Sequence, residues 1–428
     1  MEFTTIKGFR DILPDETPYW QDVEEKARSV LRTYGFKEIR TPIMERTELF
    51  ARSIGTDTDI VSKEMYTLTD SKGRGLTLRP EATASVARAY IQNRLYQQGG
   101  VQKLFSIGPM FRHERPQKGR FRQFHQINVE LFGDGGPKSD AEIIFLAVSL
   151  LDTFGLSRLT LRLNSIGCPQ CRPSFRNELR NYLTDKKEML CSDCQRRSDT
   201  NPLRVFDCKV ETCKEVVQAA PVISDYLCHD CKDHFSTLQQ YLEGLPMPPV
   251  LDARLVRGLD YYTRTTFEIQ TKKLGAQNAV VGGGRYDGLV RELGGPDLPG
   301  IGFAVGMERV ITLLMETEHR EPEGADLFVA ALGEDAEREA FRWTLKLRKM
   351  GFYVEQEYGP RSLKAQMKRA DRLGCKRALI VGDRELESGK AILRDMRSKQ
   401  QVEIEITGIV DRLAEILKGE IDNNADGN

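Results

Sequence analysis

Between Val101 and Gly133 the chain reads as two strands around a cationic loop, and no other stretch restricts its architecture as tightly. The first strand is the apolar run from Val101 to Phe111, interrupted by Gly108-Pro109. In the second, Ile127, Val129 and Leu131 alternate with the period of a half-buried strand. Pro116 and Gly119 supply turn chemistry between them. The loop carries Arg112, Arg115, Lys118, Arg120 and Arg122 against one acid, Glu114. Such a hairpin presents guanidinium forks that match phosphate or carboxylate oxygens, so an anionic ligand is expected on it.

The length, 428 residues, exceeds one ordinary core and predicts two or three domains. Sixty-three Lys and Arg balance 63 Asp and Glu, so a nucleic-acid partner would be met by local basic patches and not by a global field. No apolar run approaches membrane-spanning length, and the N-terminus lacks the apolar centre of a signal peptide. A cytoplasmic protein without a membrane partner is expected.

Eight of the nine cysteines lie between Cys168 and Cys231. Cys168/Cys171, Cys191/Cys194 and Cys228/Cys231 are C-x-x-C pairs, with Cys208 and Cys213 between the second and third. In a reducing compartment this spacing points to tetrahedral thiolate sites for structural zinc, not to a disulfide framework. The preferred assignment joins Cys168/Cys171 with Cys228/Cys231, and Cys191/Cys194 with Cys208/Cys213. Small buried hydrophobes are the competing reading. The surrounding segment, 168–250, is mostly helical in pattern, with candidates at 173–183, 211–220 and 229–243. It reads as an insertion in a larger domain.

Upstream, the pattern predicts a helix from Asp15 to Tyr34, a strand over Lys37–Ile43, a short hairpin over 64–79, and a helix running from about Glu81 to Leu95. Glu81 has a structural explanation, since an acid at a helix N-terminus complements its dipole. Downstream, Arg257-Gly258 interrupts two alternating segments, which predicts an arginine projecting from a bend into a cleft. Glycines at 282–284 permit close backbone approach to a flat ligand, and Phe303–Leu314 reads as an apolar helix bearing Glu308 and Arg309. After residue 323 a strand–helix alternation resumes, implying a mixed sheet covered by helices. Lys364, Lys368, Arg369, Arg372, Lys376 and Arg377 cluster there, as either an RNA contact or a solvated face. Residues 421–428 read as a disordered tail.

These motifs together resemble the histidyl-tRNA synthetase family, a class II aminoacyl-tRNA synthetase group, over nearly the whole chain. F-R-H-E-R-P-Q-K-G-R-F-R-Q-F-H-Q is similar to motif 2, and G-I-G-F-A-V-G-M-E-R to motif 3. R-G-L-D-Y-Y and G-G-G-R-Y-D-G-L resemble the two histidine-specific signatures, and the segment at Thr41-Pro42 resembles the dimer-forming motif 1. The resemblance implies an α+β fold: a class II catalytic domain on an antiparallel sheet flanked by helices (1–323), with the cysteine-rich insertion (168–250) inside it. An anticodon-binding α/β domain (324–420) would follow.

It further implies ATP-dependent activation of L-histidine to histidyl-adenylate, with Mg2+, then transfer to tRNA(His) by a homodimer. Arg257 and Arg112 would be the catalytic cations at the α-phosphate, with Glu114, Arg120 and Arg309 completing the ATP site. Glu81, Thr83 and Gln126 would receive the ammonium group of histidine. Glu130 and Tyr262 would read its imidazole, between Tyr261 and Tyr286. Arg115 and Gln117 would meet the tRNA acceptor end. The alternative is a non-catalytic paralogue regulating histidine biosynthesis. Such relatives usually have an altered R-G-L-D-Y-Y region and no C-terminal domain, and both features are present here.

Overall fold

Two ten-residue strands, Gln102–Phe111 and Gln123–Phe132, form the expected hairpin, paired from Gln102 opposite Phe132 to Phe111 opposite Gln123. The computed structural model describes residues 3–56, 58–117, 119–274, 278–317 and 324–425, so Lys118 lies outside the described residues. The chain divides into two compact units, Met1–His319 and Arg320–Asn428.

In the first unit the hairpin joins an eight-stranded sheet. Its order is Lys37–Glu38, Gln102–Phe111, Gln123–Phe132, Gly300–Gly306, Ala279–Arg285, Thr263–Thr271, Leu159–Ser165 and Val250–Leu251. The six central strands are antiparallel, and only the two-residue edge strands pair in parallel. Ile127, Val129 and Leu131 point into one face, where helices Thr17–Thr33, Pro137–Thr153 and Met307–Thr317 cover them in the main apolar core. Period-two alternation sends Gln126, Asn128 and Glu130 to the opposite face.

The strand expected over Lys37–Ile43 shrinks to Lys37–Glu38, with the Ile39 N–H still donating to the Phe105 carbonyl at 2.8 Å; Pro42, which has no N–H to offer a ladder, lies in the unpaired remainder. The helix expected from Glu81 begins at Thr83 and ends at Gln92. Residues 300–306, partly read as helix, form a strand, and the helix starts only at Met307. A continuous apolar run does not distinguish the two by periodicity.

The insertion is mostly helical: Arg172–Asp185, Ser192–Thr200, Glu211–Gln218 and His229–Tyr241. It has no separate core. Phe175, Leu179, Leu183, Val205 and Ile223 pack in one cluster with Tyr90, Phe132, Tyr261, Tyr262 and Tyr286 of the surrounding domain. A fully buried carboxylate, Asp140, adds a polar tie. It pairs with Arg285 at 3.0 Å and accepts hydrogen bonds from Thr265 Oγ1 at 2.5 Å and from the insertion's His234 Nε2 at 2.8 Å.

The second unit carries a five-stranded sheet ordered Val354–Gln356, Leu327–Leu332, Arg377–Gly382, Lys390–Asp395 and Gln401–Glu405. The first three strands are parallel and the last two antiparallel. Lys364, Lys368 and Arg372 are exposed along one face of helix Leu363–Arg372, whereas Arg369 and Lys376 are ion-paired with Glu357 and Asp326. The last helix, Ile409–Ala425, runs through residues 421–425, where a tail was expected. A single glycine such as Gly419 costs a helix about 1 kcal/mol but does not end it. Residues 426–428 lie outside the described residues. No helix among the described residues is long and apolar enough to cross a membrane.

Candidate active site

Arg112, Glu114, Arg120, Gln126, Arg257 and Arg309 line one open cleft of about 540 Å³ on the sheet face opposite the main core. Arg112 leaves the end of the first hairpin strand and donates Nε to the Pro80 carbonyl at 2.8 Å, its guanidinium 5.3 Å from the Phe124 ring centre. Arg120 comes back from the loop and pairs with the buried Glu114. Arg309, in the first turn of helix Met307–Thr317, donates to the Ala279 carbonyl. Burial pulls Arg112, Arg120 and Arg309 below the usual guanidinium range, Arg120 to about 10. Mutual repulsion adds to this: Arg112 faces both of the others. Such a cluster is set to receive a polyanion.

Arg257 enters the cleft from the irregular segment 252–262, as the bend predicted. It pairs with Glu268 on strand Thr263–Thr271, and its guanidinium lies 5.6 Å from the Tyr262 ring centre. Burial opposes its charge, but Glu268, Tyr262 and Asp207 more than offset that and raise its pKa. It lies across Gly282, where any Cβ would overlap the guanidinium. Glu268 escaped the sequence reading. Its signal was the polar alternation Arg264, Thr266, Glu268, Gln270, which sets a polar sheet face beneath the glycines.

The residues assigned to histidine gather beside this cleft, but in a closed arrangement. Thr83 Oγ1 donates to Glu130 Oε1 at 2.6 Å, and the Tyr286 hydroxyl donates to Glu130 Oε2. Tyr261 packs on Tyr262 and edge-on to Tyr286, with ring centres 4.7 and 5.7 Å apart. Glu130 is 1 % exposed, and burial pushes its pKa up to about 8; the Thr83 and Tyr286 hydrogen bonds oppose that rise and Glu81 reinforces it. Gly302 lies opposite Glu130 in the neighbouring strand, where a Cβ would overlap the carboxylate.

Glu81 behaves as its structural explanation required. It accepts the N–H groups of Thr83 at 2.7 Å and Ala84 at 2.8 Å, capping the helix start, and burial raises its pKa. Gln126 reaches the cleft, where its Oε1 is buried without a hydrogen-bond partner among the described residues. Arg115 and Gln117 stand exposed at the hairpin tip, outside the cleft lining.

The histidyl-tRNA synthetase family model matches residues 8–310, and an anticodon binding domain model matches residues 326–416. The chain is 56 % identical over 412 residues to a histidine–tRNA ligase of Desulfatibacillum aliphaticivorans, covering 96 % of this chain and 98 % of that protein. It is 53 % identical over 419 residues to one of Desulfosudis oleivorans, covering 98 % and 99 %. Among solved structures, apo S. aureus histidyl-tRNA synthetase superposes with a TM-score of 0.81 at 36 % identity, covering 96 % of this chain and all of that one.

The chain belongs to the histidyl-tRNA synthetase family.

For this synthetase-family chain the cysteine block assembles as the preferred assignment has it. Cys168, Cys171, Cys228 and Cys231 form one group and Cys191, Cys194, Cys208 and Cys213 another, each with its sulfurs within 4.8 Å of one another. Sulfur pairs stand at 3.6 Å (Cys168–Cys171), 3.9 Å (Cys168–Cys228) and 3.8 Å (Cys191–Cys208). A tetrahedron of sulfurs about 2.3 Å from zinc has edges of about 3.8 Å, so the donor sets fit that ion. The N–H groups of Cys228 and Cys191 donate to Cys171 Sγ at 3.1 Å and Cys213 Sγ at 3.2 Å, as expected around thiolates.

Glu308, the acid of motif 3, also went unassigned from sequence. It accepts the His125 N–H with both oxygens at 2.9 Å, tying the helix that carries Arg309 to the hairpin that carries Arg112.

Proposed function

We propose that this chain is an ATP-dependent histidine–tRNA ligase, and that the convergence of four guanidinium groups beside the Glu130 pocket carries the reading. The histidine carboxylate attacks the α-phosphate of ATP and expels pyrophosphate. The resulting histidyl-adenylate then yields its acyl group to the 3′-terminal adenosine of tRNA(His). Charge builds on the phosphorus oxygens during the first step, so catalysis is positioning and electrostatic stabilisation. Arg112 and Arg257 flank the α-phosphate from opposite walls of the cleft. Arg309 takes the γ-phosphate, and Glu114 with Arg120 frames the nucleotide.

Glu130 is the specificity residue. Its ionised carboxylate accepts an imidazole N–H in place of the Thr83 and Tyr286 donors, and Tyr262 reads the other nitrogen. An analogue without those nitrogens leaves these groups unpaired in a buried site, which gives strong rejection. Gln126 Oε1, buried and without a partner among the described residues, accepts from the ammonium group, with Thr83 and Glu81 beside it. Mg2+ would neutralise phosphate charge. Glu114, Asp207, Asp252, Glu268 and Glu308 line the cleft, but no three of them converge to metal-ligating distance among the described residues, so the ion fits best as one carried in by the phosphates. The two thiolate groups would hold structural zinc and take no part in the chemistry.

Exposed Ile43, Met44 and Leu68 beside the motif 1 segment support a homodimer interface, and Arg115 and Gln117, exposed at the hairpin tip, would meet the acceptor end of tRNA. The Lys364, Lys368 and Arg372 stripe suits the RNA backbone near the anticodon, in a cytoplasmic enzyme. A regulatory paralogue is not favoured, since the arginine set and the C-terminal unit are both present. Histidine-dependent exchange of pyrophosphate into ATP tests the assignment. No exchange, or equal exchange with another amino acid, overturns it.

A further inference from the structure

The segment 252–262 delivers Arg257 to the cleft without belonging to a helix or strand. Its two central carbonyls both go to one side chain of the insertion. Arg204 Nη1 donates to the Arg257 carbonyl at 3.2 Å, and Nη2 to the Gly258 carbonyl at 2.8 Å. Arg204 is itself buried and oriented by Asp207, 3.2 Å from Nη1. Asn201, three residues earlier, donates to Asp260 at 3.0 Å on the same segment.

Arg204 lies between Cys194 and Cys208, so ligands of the second thiolate group open and close the stretch that carries it. That stretch holds only a nine-residue helix, Ser192–Thr200, and a 3₁₀ turn, Pro202–Asp207, too short to be rigid unaided. A fork gripping two consecutive carbonyls fixes direction as well as position, which a single ammonium does not.

We propose that Arg204 is a positioning residue for Arg257, and that zinc in the Cys191/Cys194/Cys208/Cys213 group is the anchor that holds it in place. The proposal rests on Arg257 acting at the α-phosphate. Arg204 touches no substrate; it sets where the Arg257 backbone leaves the insertion and therefore where the guanidinium arrives. Losing the fork moves the cation by a fraction of its reach, which lowers turnover more than ground-state binding.

The test uses the full-length zinc-loaded protein, with metal content by mass spectrometry and histidine-dependent pyrophosphate exchange in wild-type and Arg257→Ala backgrounds. Arg204→Gln is expected to lower kcat roughly 10–100-fold, leave both KM values within about threefold, and retain two zinc ions per chain. In the Arg257→Ala background it is expected to cost nothing further. Arg204→Lys, which keeps charge and stem, shows the same split with a smaller loss, and serves where the Gln variant folds poorly. Cys208→Ser is expected to lose one zinc and reproduce the kcat loss.

Multiplicative losses in the double variant would overturn the inference, as would a Cys208→Ser protein with unchanged kcat or a wild type holding no zinc in the second group. A normal rate for Arg257→Ala alone would remove the catalytic reading on which it rests, and is read separately.

Discussion

Replacing Glu130 by Gln isolates the cost of holding an ionisable group in a dry specificity pocket. In the unliganded protein the carboxyl is buried and its pKa rises from 4.5 to about 8. The folded state therefore binds this proton more tightly than the unfolded chain. The stabilisation is complete below about pH 4.5 and is lost as pH rises through about 8. At about 1.4 kcal/mol per unit, wild type should be destabilised relative to an always-neutral side chain by about 2 kcal/mol at pH 6 and by about 4–5 kcal/mol above pH 8. Gln keeps an oxygen for Thr83 and the same shape, so Glu130→Gln should be the more stable protein, by a margin that widens with pH.

The assay is urea unfolding of the ligand-free protein at several pH values. The chain has two tryptophans, Trp20 in the first unit and Trp343 in the second, so a Trp343→Phe background reports the catalytic unit alone. A stability difference that stays flat between about pH 6 and 8.5 would refute the argument. The same substitution should abolish useful histidine activation, so the more stable protein is the dead one.

Other outcomes follow from the same geometry. Histidine kcat/KM should rise roughly eightfold between about pH 7 and 8.5 as Glu130 ionises, and a flat profile would remove Glu130 from recognition. Arg257→Ala should slow pyrophosphate exchange by roughly 10²–10³, whereas a near-normal rate would take it off the catalytic list. Gly282→Ala should displace the Arg257 guanidinium that lies across it and slow exchange without unfolding the protein, seen as lost kcat with an unchanged circular dichroism spectrum. Deleting residues 325–428 should leave adenylate formation measurable while weakening tRNA charging; equal loss of both would make that unit structural.

Much of the catalytic frame was legible because its signals are local. The alternation of Ile127, Val129 and Leu131 defines the buried face of one strand, and period two then forces Gln126 and Glu130 to the other. Cysteine spacing similarly carried three of the four pairs, since a C-x-x-C turn already brings its sulfurs together; Cys208 and Cys213, with four residues between them, are brought together by the fold. Helix Ser192–Thr200 was missed because S-D-C-Q-R-R-S-D-T has no apolar period to read. Glu268 and Arg204 were missed for a different reason: each matters only through a partner, Arg257, that the fold brings from another element. The occupied state of Glu130 was also beyond reach, because pattern shows which face a carboxylate takes and not which donors fill it before substrate arrives.

Asp140 bears on how such an architecture can change over time. Its carboxylate is shared by a helix of the catalytic frame, two sheet strands and a helix of the insertion, and it is fully buried. Excising the insertion would remove the His234 donor from the carboxylate and strip the cover from the tyrosines beside Glu130. A buried charge that loses a partner is penalised more than the pair was ever worth. Residues 168–250 and the frame that hosts them are therefore coupled: a replacement insertion has to restore both a donor to Asp140 and the apolar cover over Tyr261, Tyr262 and Tyr286.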